Sequence, residues 1–248
     1  MAEMTFDLPD LGVASGVRSA RVPRDGYARG WGLQFGDLSA KIEGEALYKS
    51  ALASMGIHSW IIPAKRMNLY LLMTRFLPKL KERHIVEFGA FKGGNALFMA
   101  LVMREIDATA KVFALDTFTG MPEADKSIDA HNTGDFSDTS LANLQQRVAE
   151  LGLTNLIPVK GLFQDTFPTL APDISFGLAH IDADIYSSVK YAQDAVWPRM
   201  TNGGYVVYHD AEVSSCIGAT QAVEELIMER RVHSEQIWPH FVFRVGLA

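Results

Sequence analysis

His84-Ile85-Val86-Glu87-Phe88-Gly89-Ala90-Phe91-Lys92-Gly93-Gly94-Asn95 runs from a short apolar segment through glycines into a helical pattern that continues to Ile106. Five residues, His84 to Phe88, suit a buried strand, and the glycines after them let the backbone approach a ligand closely. The spacing is Gly-x-x-x-Gly-Gly, which departs from the Gly-x-Gly-x-x-Gly of dinucleotide binders. The same strand-then-helix alternation repeats downstream. Strands are expected at Lys111–Leu115, ending at Asp116, then at Leu156–Val159, Ile174–Ile181 and Tyr205–Tyr208. Helices are expected from Leu141, with Thr139 or Ser140 as N-cap, near Ser187–Val196, and over Gly218–Arg230. Asn202-Gly203-Gly204 reads as a turn, and Val232–Trp238 with His240–Val245 as a hairpin-like pair joined at Pro239. Such alternation predicts an α/β fold with a mostly parallel sheet covered by helices on both faces.

Upstream the pattern is weaker. Ala64–Leu80 has helical apolar spacing, and Glu43–Met55 suits another helix. Glycines and prolines from Pro9 to Gly36 make residues 1–60 an N-terminal arm or partly helical cap, with residues 61–248 as the main domain. A chain of 248 residues, 48% hydrophobic, is long enough for one large core. The net charge of -6 and the scattered basic residues, with small groups at Arg18/Arg21/Arg24 and Arg230/Arg231, argue against a nucleic-acid partner. No apolar run is long enough for a membrane span, and the acidic start lacks a signal pattern. The lone Cys216 excludes an intrachain disulfide framework and a cysteine-based zinc site, which fits a cytoplasmic location.

Chemistry concentrates at the carboxyl ends of the strands, where open α/β sheets bind ligands. Asp116 lies 22 residues after Gly94, and a carboxylate there can accept both ribose hydroxyls of a nucleoside cofactor. Gly161-Leu162-Phe163-Gln164-Asp165-Thr166-Phe167-Pro168 follows the third strand and is placed to cover a purine. His180-Ile181-Asp182-Ala183-Asp184 and Tyr208-His209-Asp210 end the fourth and fifth strands. Three carboxylates and a histidine at one edge suit a divalent cation. The plainer alternative makes Asp182 or Asp184 a helix cap and His209 part of the structure.

Val86-Glu87-Phe88-Gly89, Asp116-Thr117-Phe118-Thr119-Gly120-Met121-Pro122, Gly134-Asp135-Phe136, Gly161 to Pro168 and His180 to Tyr186 together resemble the macrocin O-methyltransferase family, from about Ile61 to Val245. The resemblance implies a Rossmann-like seven-stranded sheet with an antiparallel last strand. It also implies S-adenosylmethionine (SAM) as methyl donor, a hydroxyl of a sugar or other small natural product as acceptor, and a homo-oligomer. Glu87, Gly89, Gly93 and Asn95 would then shape the methionine pocket. Asp116, Thr117 and Phe118 would hold the ribose side, and Gln164 and Asp165 would lie near the adenine. Asp182 would touch both cofactor and metal, with Asp184 as general base or additional ligand, and Phe118–Phe136 would form a lid.

One departure concerns the metal. The family usually has two acidic residues after the fifth strand, and this chain has His209-Asp210. With Asp182, His209 and Asp210 as ligands, Mg²⁺ remains the family expectation, while an imidazole suits Mn²⁺, Fe²⁺ or Zn²⁺ better, and a site that binds Mg²⁺ weakly or works without a metal is the alternative. His209 is also a candidate base. Other readings are an iron-dependent oxygenase, an NAD-dependent oxidoreductase and a non-catalytic SAM-binding protein. Trp31, Phe35 and Trp60 are candidates for stacking on an acceptor.

Overall fold

The computed structural model describes residues 38–246. Trp31, Phe35, the Arg18/Arg21/Arg24 group and the irregular stretch from Pro9 to Gly36 lie outside the described residues. Helices α1 (Leu38–Gly44), α2 (Ala46–Met55) and α3 (Pro63–Leu71) precede the sheet; α3 opens with Pro63 and continues as a π turn over Leu72–Phe76. The alternating part consists of β1 (His84–Phe88), α4 (Gly94–Ile106), β2 (Val112–Asp116), α5 (Leu141–Glu150), β3 (Leu156–Lys160), α6 (Phe163–Thr166), β4 (Phe176–Ile181), α7 (Tyr186–Val196), β5 (Met200–Tyr208), α8 (Ile217–Arg230) and β6 (Phe241–Arg244). No helix among the described residues is long and apolar enough to cross a membrane.

The sheet order is β3-β2-β1-β4-β5-β6, parallel except for the antiparallel β5–β6 pair. The α/β class, the helices on both faces and the antiparallel end strand are as expected, but the sheet has six strands rather than seven. Val232–Trp238 fails to become a strand and pairs with β6 through the isolated Gln236–Val242 bridge. Its polar His233-Ser234-Glu235-Gln236 offers little apolar surface to a sheet, and Pro239 donates no N–H. Asn202-Gly203-Gly204 is a second correction. These residues stay inside β5, where the pairing with β4 skips from Phe176–Met200 to Leu178–Tyr205 and Gly203 takes φ +79°. The irregularity absorbs the extra residues without ending the strand.

Two apolar layers flank the sheet. Ile85, Leu178, Val207 and Val242 pack towards α2, α3 and α4; Val86, Ala179, Val206 and Phe243 pack towards α7 and α8. Successive strand residues face opposite sides. Glu87, His180 and His209 therefore follow Ile85, Leu178 and Val207 onto the α3–α4 face, and His240 precedes Val242 on that same face. That parity sets the character of the site.

Candidate active site

The carboxyl ends of β1, β2, β4 and β5 border a cleft of about 330 Å³. Gly89 explains how closely β1 and β4 approach. It takes φ +94°, and a Cβ there would lie 1.7 Å from the Asp182 carbonyl oxygen. Glu87 is 1% exposed at the floor of the cleft. Its Oε1 accepts from Asn95 Nδ2 at 2.6 Å and lies 3.0 Å from His180 Nδ1, while Oε2 has no partner among the described residues. Asp116 accepts the Phe91 N–H on Oδ2 at 2.8 Å and the Phe118 N–H on Oδ1 at 2.7 Å. These two bonds tie the glycine turn to the turn after β2 and orient the carboxylate. Burial pushes the Asp116 pKa up against them.

Glu87, Gly89, Asn95, Asp116 and Thr117 border the cleft together with Asp182, Asp184, His209 and Asp210. Four proposed cofactor residues do not border it. Gly93, at φ +86°, faces Leu144, which a Cβ would meet at 2.4 Å. Phe118 is buried in the core beside it, and Gln164 and Asp165 are exposed on α6, leaving Phe163 as the member of that loop that borders the cleft.

The acidic edge gathers as one group. Asp182, His209 and Asp210 each offer a donor atom, all within 4.8 Å of one another. His209 Nδ1 is 3.6 Å from Asp182 Oδ2, and Nε2 is 3.8 Å from Asp210 Oδ1. The His209 N–H bonds the Ile181 carbonyl at 2.8 Å, while the His209 carbonyl accepts from Lys65, which also pairs with Glu212 at 2.7 Å. Burial raises both Asp182 and Asp210 well above the usual carboxylate range, helped by the charges of Asp184 and Glu87 at Asp182 and of Asp182 and Asp184 at Asp210. Burial, then Lys65 and the neighbouring histidines, holds His209 well below its usual value, which favours the neutral imidazole. Neutral imidazole and crowded carboxylates form a donor set that suits a divalent cation.

Asp184 stands beside this group in a left-handed conformation, φ +55°. Its Oδ1 accepts from Cys216 Sγ at 3.5 Å and lies 3.7 Å from His131 Nε2. Burial raises its pKa. Neither Asp182 nor Asp184 caps α7; the Tyr186 N–H is held instead by Asp129 Oδ1 at 2.9 Å. Asp129 belongs to the segment between β2 and α5, so this bond pins that segment over the sheet edge. The segment folds back on itself through Met121 N–H to Asp135 O at 2.7 Å and Gly134 N–H to Met121 O at 2.9 Å. It places Met121, Pro122, His131 and Phe136 on the cleft.

Trp60, a candidate for stacking on an acceptor, borders the cleft from the connection before α3, 70% exposed and edge-on to His58. Several other cleft residues had no sequence signal, His58 and Ser59 among them. Ser215 and Cys216 come from the loop after β5. His131 lies three residues before Gly134, close enough for the Gly134-Asp135-Phe136 motif to have flagged it.

Known proteins match both this fold and this sequence. A tetracenomycin-C-type 4'-O-methyltransferase of Streptomyces olivaceus is 30% identical over 53% of this chain and 54% of its own length. Mycinamicin III 3''-O-methyltransferase of Micromonospora griseorubida is 26% identical over 53% of this chain and 56% of its own. The chain thus spans about half the length of these curated relatives. The solved structure of the O-methyltransferase NovP superposes with a TM-score of 0.68 at 21% identity, covering 77% of this chain and 84% of that one. The calicheamicin methyltransferase CalS11 gives 0.63 at 16% identity, over 93% and 96%. Both share the fold. The family model of macrocin-O-methyltransferase (TylF) matches residues 60–238, well over half of the chain, and the chain belongs to that family.

Proposed function

We propose that the chain is a SAM-dependent O-methyltransferase whose acceptor is a hydroxyl of a sugar or other small natural product, and that a divalent cation assists it. One observation carries this: a single cleft joins a buried carboxylate with a free oxygen, Glu87 Oε2, to the ribose-type Asp116 on one side and the Asp182–His209–Asp210 group on the other. Glu87 Oε2 suits the ammonium of the methionine moiety, and Asp116 suits vicinal hydroxyls. The mycinamicin and tetracenomycin-type relatives are natural-product methyltransferases by name, which supports the acceptor class.

Bound SAM supplies a methyl group on a sulfonium leaving group. Asp182, His209 and Asp210 would hold the cation, which supplies Lewis acidity towards acceptor oxygens. Asp184 takes the acceptor's proton on its carboxylate as the oxygen–methyl bond forms and the sulfur–methyl bond breaks. Its raised pKa suits a general base. The segment pinned by Asp129 shields the reacting atoms from water, and Trp60 offers the acceptor an aromatic face. Gln164 and Asp165 remain candidates for the adenine edge, Gly93 and Phe118 shape the turns behind the cofactor, and a homo-oligomer is the expected assembly.

The test is calorimetric titration of SAM, then NAD, into metal-stripped protein, repeated with Mg²⁺, Mn²⁺ and Fe²⁺. SAM binding without NAD binding is expected. Asp182→Ala should abolish turnover on an accepted hydroxyl while SAM binding stays nearly intact. No SAM binding under any condition would overturn the assignment, and equal loss of binding and turnover would overturn the role of Asp182.

A further inference from the structure

Behind the acidic group lies a second cluster of donors that the methyl-transfer reading leaves unused. His180 and His240 are both 0% exposed. Ring centroids are 5.5 Å apart for His180–His209, 5.6 Å for His180–His240 and 5.5 Å for His209–His240. Each ring offers a nitrogen, and the three donor nitrogens lie within 4.8 Å of one another. His180 Nε2, His209 Nδ1 and His240 Nε2 are buried without a hydrogen-bond partner among the described residues. A buried, unpaired ring nitrogen is costly alone. Three rings packed around one another, each with such an atom, point to a shared ligand.

We propose that His180, His209 and His240 bind a borderline transition-metal dication of the Zn²⁺ type, distinct from the cation assigned to the acidic edge. The outer atoms of the rings support it. His180 Nδ1 lies 3.0 Å from Glu87 Oε1, the carboxylate–histidine arrangement that fixes a ligating tautomer and leaves Nε2 with its lone pair. His240 Nδ1 lies 3.2 Å from the Asn68 side-chain amide. With the amide turned so that Oδ1 accepts from Nδ1–H, the Nε2 lone pair is likewise free; the two amide orientations are alike in shape. Tetrahedral zinc with Zn–N near 2.0–2.1 Å holds its nitrogens about 3.4 Å apart, a separation within reach of small ring rotations from the observed cluster. Three imidazole ligands make a poor Mg²⁺ site and a good Zn²⁺, Co²⁺ or Ni²⁺ site. His209 has two ring nitrogens, one for this cluster and one for the acidic edge. It therefore ties the two sites together. Glu87 does the same on the other side, contacting His180 through Oε1 and bordering the cleft.

The probe is Zn²⁺ or Co²⁺ titrated into the metal-stripped full chain, followed by calorimetry and by the visible spectrum of Co²⁺. Wild type should take up Co²⁺ with the intense bands of a low-coordinate nitrogen site. His240→Gln should weaken Zn²⁺ and Co²⁺ binding by more than ~100-fold, because loss of a ligand exceeds the usual effect of losing its supporting bond. Asp210→Asn should keep the Co²⁺ spectrum. X-ray absorption on Zn²⁺-loaded wild type needs no variant and covers the case in which His240→Gln does not fold: outer-shell scattering should count three imidazoles. One imidazole with oxygen ligands, a Co²⁺ spectrum lost in Asp210→Asn but kept in His240→Gln, or no Zn²⁺ uptake by wild type would each overturn the proposal. SAM affinity, read on the same samples, reports separately on the methyltransferase assignment.

Discussion

Glu87→Gln is the sharpest perturbation of the cofactor pocket, because it changes charge at nearly constant shape. In the wild type, Oε1 is occupied by Asn95 and His180, and Oε2 is buried without a partner among the described residues, in a residue that borders the cleft. A glutamine must put its –NH₂ in one of these places. Towards Asn95 and His180 it sets donor against donor; towards the cleft it sets a donor against an ammonium. Either way a charge-assisted hydrogen bond to the cofactor is lost or opposed, worth about 1.5–3 kcal/mol. That equals about 12- to 140-fold in affinity at 1.4 kcal/mol per tenfold. Stability should respond differently, since removing a buried charge offsets part of the lost bonding. The expected result is a small change in Tm beside weakening of SAM by one to two orders of magnitude, read by calorimetry at constant pH and salt. S-adenosylhomocysteine carries the same ammonium and should weaken in parallel. SAM binding within about twofold of wild type would refute the placement of the methionine ammonium at Glu87, because so small a change is about 0.4 kcal/mol.

Gly89→Ala combines a positive φ with a Cβ 1.7 Å from the Asp182 carbonyl oxygen, so β1 and β4 must part. We expect a loss of about 2–5 kcal/mol, visible as a lower denaturant midpoint; an unchanged midpoint would contradict the close strand approach. Lys65→Met leaves Glu212 buried without its cation and removes the donor to the His209 carbonyl. A loss of about 3–5 kcal/mol is expected, partly recovered in Lys65→Met/Glu212→Leu, and the double-mutant cycle checks it. Stability against pH follows from the buried groups. Asp182, Asp184 and Asp210 are raised above 3.8, so their contribution is fully present below that pH and is lost as pH rises through their raised values. His209 and His240 are lowered below 6.5, so theirs is present above that pH and is lost as pH falls through their lowered values. Metal-stripped protein should therefore lose stability on the alkaline side, and Mn²⁺ should restore that limb; thermal melts across the range with and without Mn²⁺ test it, and an alkaline limb unmoved by Mn²⁺ would count against the acidic metal group.

Much of this was written in local pattern. The strand–glycine–helix unit around Gly89 and the acidic strand ends are short-range signals, and the structure brings Asp116, Asp182, His209 and Asp210 to one cleft. What stayed hidden depends on contacts distant in sequence. Asn68 meets His240 across 172 positions, and Lys65 meets His209 across 144. His240 joins His209 because the antiparallel β5–β6 register pairs Tyr208 with Phe241, a relation that periodicity cannot supply. The expected strand at Val232–Trp238 misled because short runs with a few apolar residues are ambiguous.

The α3–α4 face of the sheet is where local consistency breaks down. Apolar residues occupy the parity positions at its centre, Ile85, Leu178, Val207 and Val242, whereas the carboxyl end of that face carries Glu87, His180 and His209, with His240 beside them. Glu87 Oε2, Asn95 Oδ1, His180 Nε2, His209 Nδ1, Asp210 Oδ2 and His240 Nε2 are all buried without a partner among the described residues. At about 1–3 kcal/mol each, six such atoms cost as much as the entire net stability of an ordinary domain. Apolar replacements would stabilise the same fold more cheaply. On the proposed reading, the partners of these atoms would be ligands: the cofactor at Glu87, a cation at Asp182 and Asp210, and a metal between the histidines. That reading couples stability to function through the same atoms, and it predicts that SAM and metal each raise the thermal midpoint of the metal-stripped protein; a midpoint unmoved by either would contradict it.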